Sequence, residues 1–328
     1  MMRTELTLVR GLLKLVPSTL TVQMVTVPYA AGAAGTQQVD LPPMPPVLGE
    51  HHVLALVAKG GMGGIYLGEH VHTGARVALK VLDVRWSAHE SIVGRLFSEH
   101  EVSRRVRHDG LVHIVEAARS VTGMPYLVME MIDGENLATL LDRGFIELGA
   151  VAAIGAQVAD AVAAMHEARV VHCDLKPENV MVLYQDGLGG WPRVKVLDSG
   201  VARFDDRAAT EEVAGTPCYM APEQWLGHAE PRSDVYGLGC ILYELVTGAV
   251  PFEGSLSRVM SDHCDRMPSA MSTRRAVPEV LDRLVMRMLA KDPGMRPRMV
   301  DVARVLADLA YGMPPGAREN GFRVAAGG

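Results

Sequence analysis

Short runs rich in β-branched and aliphatic residues occupy 53–57, 64–70, 75–82, 112–118 and 125–130, each the length of a strand. One run with helical spacing, about 90–106, interrupts them. After Gly134 the spacing changes to that of helices. The clearest case is Leu148–Glu167, where Val151, Ile154, Val158, Ala161, Val162 and Met165 line one face. Further helices are predicted at about 233–247, 278–290 and 299–310. Strands first and helices afterwards predict an α+β protein, with a small β-rich lobe and a larger, mainly α-helical one. No internal repeat is visible.

Leu41-Pro-Pro-Met-Pro-Pro46 reads as a semi-rigid linker. Residues 1–50 are therefore expected to be a poorly ordered tail and linker, with the folded domain beginning at 51. Its lobes are expected at about 51–130 and 134–312, followed by a disordered, Gly- and Pro-containing tail at 313–328. Residues 15–39 carry no charge and follow Arg3, Arg10 and Lys14, the outline of a signal peptide. Their Thr, Ser, Gln and Pro content favours a tail instead. No stretch past residue 50 reads as a bilayer span.

With 328 residues the chain can hold one large two-lobed domain. A net charge of −6 without a Lys/Arg-rich stripe argues against nucleic acid as the main partner. Lysine is scarce, six against 26 arginines, so a lysine within a motif carries information. The cysteines, Cys173, Cys218, Cys240 and Cys264, form neither a CxxC pair nor a His/Cys cluster. That argues against a structural zinc or disulfide framework and fits a reducing cytoplasm.

The chemistry concentrates in Val171-His-Cys-Asp-Leu-Lys-Pro-Glu-Asn179. Phosphoryl transfer needs a carboxylate to orient a hydroxyl, a cation beside the moving phosphate and an oxygen ligand for Mg²⁺. The run resembles the catalytic loop of protein kinases, usually His-Arg-Asp-Leu-Lys-Pro-Glu-Asn. The resemblance implies those three roles for Asp174, Lys176 and Asn179. Cys173 stands where Arg is usual. A small buried filler is the preferred reading of Cys173 over a redox sensor.

Other segments extend the resemblance in the family's order. Ala58-Lys-Gly-Gly-Met-Gly-Gly-Ile-Tyr66 resembles the phosphate-covering glycine loop, with Ala58 at the first glycine position and Gly60 and Gly63 at the others. Val57, Gly61, Met62, Gly64, Ile65 and Met181 join it as implied nucleotide contacts. In Val77-Ala-Leu-Lys80, Lys80 would meet the α- and β-phosphates, and Ala78 would pack on adenine. Glu99 is the implied partner of Lys80 and Glu101 the fallback; at i,i+2 on a helix only one can face it. Pro125–Leu137 resembles the hinge, with Met129 as gatekeeper and the Glu130 and Ile132 backbone at the adenine edge. Asp198, in Val196-Leu-Asp-Ser-Gly200, would ligate Mg²⁺, and Ser199 replaces the family's phenylalanine.

Gly215-Thr-Pro-Cys-Tyr-Met-Ala-Pro-Glu223 resembles the platform that cradles an acceptor peptide. There Thr216 would bond near Asp174 and Lys176, while Glu223 would pair with Arg296. Asp234 would brace the catalytic-loop backbone. Thr210 is the single hydroxyl residue in the segment leading to Gly215.

The resemblance spans roughly 51–310 and implies a bilobal protein-kinase-like fold of the bacterial serine/threonine type. ATP with Mg²⁺, or alternatively Mn²⁺, and protein substrates with Ser/Thr acceptors follow from it. A cytoplasmic setting in signalling, no nucleic-acid or membrane partner, and regulatory partners or a transient homodimer complete the expectation. Signals would arrive through partners or the N-terminal tail. A nucleotide-binding pseudokinase, motivated by Ala58, Cys173 and Ser199, is the alternative. A small-molecule kinase is disfavoured by the peptide platform.

Overall fold

Apolar side chains at alternating positions build the smaller lobe around an antiparallel sheet. The computed structural model describes residues 45–60, 62–144, 146–183, 191–198 and 215–312, and the backbone of 23–24 and 203–204. Strands β1 (Val47–Leu48), β2 (His51–Lys59), β3 (Gly63–His70) and β4 (Arg76–Leu82) follow one another. Helix α1 (Glu90–Arg105) then precedes β5 (Ile114–Arg119) and β6 (Pro125–Glu130). The sheet order is β2-β3-β4-β6-β5, with β1 paired to β2 and Gln23–Met24 to its far edge. Leu79, Val81, Tyr126 and Val128 fill one face, while Val93 and Leu96 seat α1 on the other.

The sheet also takes in residues just before 51. Leu48 is 0% exposed and packs with Tyr126, and Gly49 (φ +55°) turns the chain into β2. One buried leucine stabilises by about 1.5–3 kcal/mol, which together with the β1–β2 pairing ties residues 47–50 to the sheet. The Pro-rich context masked it.

The larger lobe is helical apart from a small sheet of β7 (Gly134–Asn136), β9 (Val180–Leu183) and β10 (Val194–Val196). Helices α2 (Leu137–Leu141) and α3 (Leu148–Glu167) precede β8 (Val170–Val171), which pairs with Arg203–Phe204. Helices α4 (Pro231–Thr247), α5 (Leu256–Asp265), α6 (Glu279–Met288) and α7 (Met299–Tyr311) complete it. By length and composition α3 is apolar enough to cross a bilayer, contrary to the expectation for the chain past residue 50. Thirteen of its 20 residues are buried inside the lobe, where it packs against α4 and α7. A Cβ on Gly155 would come 2.7 Å from Leu242 and 3.0 Å from Leu306, so glycine lets the three helices meet. Helix α4 starts at Pro231, ends at left-handed Gly248, and buries Asp234 beneath β8 and the loop after it.

Candidate active site

Four elements converge on the cleft between the lobes. Strand β4 delivers Lys80 and α1 delivers Glu99, whose carboxylate accepts from the lysine at 2.7 Å. Lys80 also donates to Asp198 at 3.0 Å, just past β10. Burial pushes the Glu99 carboxyl up to about 7, against the pull of Lys80. For Asp198 burial acts the same way but Lys80 overrides it, holding the carboxyl at about 2. Burial opposes the Lys80 charge as well, and Asp198 with Glu99 outweighs it, raising its pKa. Glu101 is exposed, two residues round the helix.

The loop after β8 supplies the second half. Asp174 meets Lys176 Nζ at 2.9 Å and accepts from Thr216 Oγ1 at 2.8 Å, while Lys176 donates to Thr216 at 3.0 Å. Asn179 Nδ2 donates to the Asp174 carbonyl at 2.9 Å, which turns its Oδ1 away from the loop. His172 Nδ1 accepts from Asp174 N–H at 3.3 Å, so its Nε2 carries the proton given to the Leu197 carbonyl at 3.0 Å. One imidazole thus joins the Asp174 loop to the Asp198 segment. Asp234 accepts from the backbone N–H groups of His172 and Cys173, each at 2.8 Å. Cys173 is 4% exposed, as a filler would be. Asp198 and Asn179 are hard oxygen donors, and among the described residues no three His, Cys, Asp or Glu side chains converge as a closed metal cage. Such a pair suits a cation that keeps positions for phosphate oxygens and water, as Mg²⁺ does.

A cleft extends from this cluster, lined by Val57, Ala58, Ile65, Ala78, Met129 and Met181 among others. Glu130 and Ile132 border it, as the hinge reading requires. Val112, Met131, Glu178 and Leu197 also line it, residues to which the motifs gave no contact role. The expected contacts Gly60, Met62, Gly63 and Gly64 do not line it. Met62 packs instead toward α1, among Leu82, Val93 and Leu96. A Cβ on Gly63 would collide with the Val81 carbonyl, so that glycine serves a close strand crossing. Gly61, Ser199 and Thr210 lie outside the described residues.

Glu130 has a second task. Its Oε1 accepts from Lys195 Nζ and from His113 N–H, both at 2.7 Å, and Lys195 also donates to the Leu111 carbonyl at 3.3 Å. On the acceptor side Arg296 forks onto Glu223 at 2.6 and 2.9 Å, and Ser233 Oγ donates to Glu223 at 2.6 Å. Tyr219 donates to Glu244 on α4 at 2.6 Å, seating the platform.

Residues 51–305 match the protein kinase domain family. The chain belongs to that family. The kinase domain is 37% identical over 252 residues to the serine/threonine-protein kinase Pkn1 of Myxococcus xanthus, covering 75% of this chain and 36% of that protein. It is 38% identical over 260 residues to PkaA of Streptomyces coelicolor, covering 77% and 46%. PknL of Mycobacterium tuberculosis is 36% identical over 264 residues, covering 78% and 64%. The chain thus matches between about a third and two thirds of the length of these relatives. Among solved structures, the PknI kinase domain of Mycobacterium tuberculosis superposes with a TM-score of 0.63 at 25% identity, covering 80% of this chain and 97% of that one.

Proposed function

We propose that this kinase domain transfers the γ-phosphoryl group of ATP to Ser or Thr hydroxyls of protein substrates. The observation that carries the reading is the triangle of Asp174, Lys176 and Thr216, all within 3.0 Å of one another, facing the Lys80–Glu99–Asp198 chain across one cleft. Asp174, steadied by Lys176 and Thr216, would accept the acceptor hydroxyl proton and aim its oxygen at phosphorus. Lys176 and Lys80 bring positive charge to where negative charge develops. Glu99 holds Lys80 in place. Asp198 and Asn179 would hold Mg²⁺, or Mn²⁺ in its stead, which when bound neutralises the β- and γ-phosphates. Adenine would lie between Ala78 and Met181, against the hinge.

The Thr216–Lys176 bond next to the base supports Ser/Thr over Tyr as acceptor. The seated platform supports protein over small-molecule acceptors. The six polar groups that phosphoryl transfer uses are present and bonded in two clusters, Lys80–Glu99–Asp198 and Asp174–Lys176–Asn179, which supports an enzyme over a scaffold. A cytoplasmic setting and regulatory protein partners accord with a need for ATP and with four free cysteines.

The test is labelled ATP with Mg²⁺ and purified protein, followed by phosphoamino-acid analysis. Autophosphorylation, generic protein substrates and small hydroxyl compounds are compared side by side. Label on phosphoserine or phosphothreonine is expected. Nucleotide binding without any transfer, or transfer to small hydroxyl compounds alone, would overturn the reading.

A further inference from the structure

Cys173, the residue before the proposed base, holds a left-handed backbone with φ +68°. Residues with a Cβ avoid this region, and they stay in it only where their surroundings over-determine it. Both ends of the Cys173 residue are held. Its N–H donates to Asp234 at 2.8 Å, and its carbonyl accepts from Gln224 Nε2 at 2.8 Å. Gln224 is 4% exposed and sits in the turn Pro222–Leu226, directly after the platform. Its Oε1 accepts from Ala221 N–H at 3.0 Å. A backbone N–H can only donate, so the amide oxygen must face Ala221 and the NH₂ must face Cys173. Gly215 closes the same spot: a Cβ there would stand 3.3 Å from the Cys173 carbonyl oxygen and 3.4 Å from Gln224 Nε2.

We infer that Gln224 is a positioning residue whose amide couples seating of the acceptor platform to the direction in which Asp174 points. Thr216 bonds the Asp174 carboxylate directly, and Gln224 grips the backbone one residue upstream. The two contacts come from opposite ends of one platform. When 215–226 lies in place, both form and the left-handed turn before Asp174 is held. When it lifts, Asp234 and the loop's own bonds still hold the turn from one side, but both platform contacts are lost and the base loses its aim. Cys173 has no guanidinium with which to read a phosphate, so the coupling runs through main chain and one buried amide. This inference rests on the phosphoryl-transfer reading above.

Two variants test it in the full chain. Gln224→Leu removes this donor from the Cys173 carbonyl, which should cut kcat about tenfold. The KM for ATP should move less than twofold, because Gln224 does not line the nucleotide cleft. Gln224→Glu keeps the shape. Ionised, it sets oxygen against oxygen at Cys173; protonated, it restores a donor. Burial together with Asp174 and Asp234 nearby should raise its pKa. Its kcat relative to wild type should therefore climb as pH falls from about 8.5 to about 6. The titratable groups lining that pocket, Cys173, Asp174, Tyr219 and Asp234, are common to both proteins, so the ratio isolates position 224. Hydrogen exchange of peptides spanning 172–176 should quicken in Gln224→Leu while α3 is unchanged. Active wild type with Gln224→Leu within twofold in kcat, or with its loss confined to the KM for ATP, would overturn the latch. So would a Gln224→Glu ratio that is flat with pH, and that ratio decides alone if Gln224→Leu does not fold. An inactive wild type would overturn the transfer reading instead, and the exchange comparison then decides the latch: unchanged exchange at 172–176 sinks it.

Discussion

Arg296→Ala removes five donated hydrogen bonds from a side chain with 0% exposure. Two go to Glu223, and one each to the carbonyls of Ala290, Arg232 and Lys291. The guanidinium also lies 4.9 Å from the Tyr236 ring centroid, so its removal opens space beside α4. Glu223 keeps the Ser233 hydroxyl at 2.6 Å, which compensates only part of its charge. Removing one partner of a buried ion pair costs about 3–5 kcal/mol, because the other charge stays buried. At about 2 °C per kcal/mol for a domain of this size, the melting temperature should fall by roughly 6–10 °C. Arg296→Met with Glu223→Leu should recover part of the loss, since no lone charge remains while three carbonyls still lack a donor. Urea unfolding and thermal melts at pH 7 measure all three proteins. A loss below about 1 kcal/mol in Arg296→Ala would refute the argument, for it would mean that water replaces the guanidinium at no cost.

Asp174→Asn should abolish transfer while nucleotide affinity, read by fluorescent-nucleotide titration, stays within a few-fold; near-normal turnover would remove Asp174 from the base position. Glu99→Gln should cost at least tenfold in kcat/KM for ATP and Glu101→Gln less than twofold, and the reverse order would refute the α1 register. With the Glu99 carboxyl at about 7, wild-type activity should decline as pH falls through that value, and Glu99→Gln should lack this limb. For stability the same group has the opposite sign: the folded state binds its proton more tightly than the unfolded one, so this contribution shrinks as pH rises from about 4.5 to about 7. His263, fully buried against the Tyr236 hydroxyl at 2.9 Å, is lowered by burial to about 4. The unfolded chain takes that proton near pH 6.5 and the folded one only near 4, so stability should drop by up to about 3 kcal/mol across this window on acidification. His263→Phe should flatten that slope in urea midpoints, and an unchanged slope would exonerate His263.

The strands of the smaller lobe and the long helices were legible because their apolar positions repeat at one period over many residues. Leu148–Glu167 is the clearest case: its stripe predicts the bounds observed. Helix α5 escaped because it buries only Val259 and His263, too few positions to define a period. The roles implied for Lys80, Glu99, Asp174, Lys176, Asn179, Thr216 and Asp198 came from short motifs, and the fold brings these residues together. Gln224 was invisible for a different reason. A lone glutamine in a turn carries no pattern, and its meaning depends on the Cys173 carbonyl, 51 residues away. The direction of Met62 was not legible either, because side-chain direction at a glycine turn is set by tertiary packing, here against α1.

The tie between Glu130 and Lys195 acts on the lobes as a whole. Strand β10 is also stitched to the chain leaving α1, through Val112 N–H to the Val196 carbonyl at 3.0 Å and Val196 N–H to the Gly110 carbonyl at 2.8 Å. Lys195 and Val196 are neighbours on β10, and Lys195 itself reaches both Glu130 and Leu111, so these contacts make one bolt that joins β6, the stretch beyond α1 and β10. A body held along one edge swings about that edge. Opening of the cleft is then a door turning on a single hinge. Parts near the hinge barely move, and parts far from it sweep the widest arc. Loosening the hinge, as Lys195→Ala would, adds a wobble that the intact door does not have.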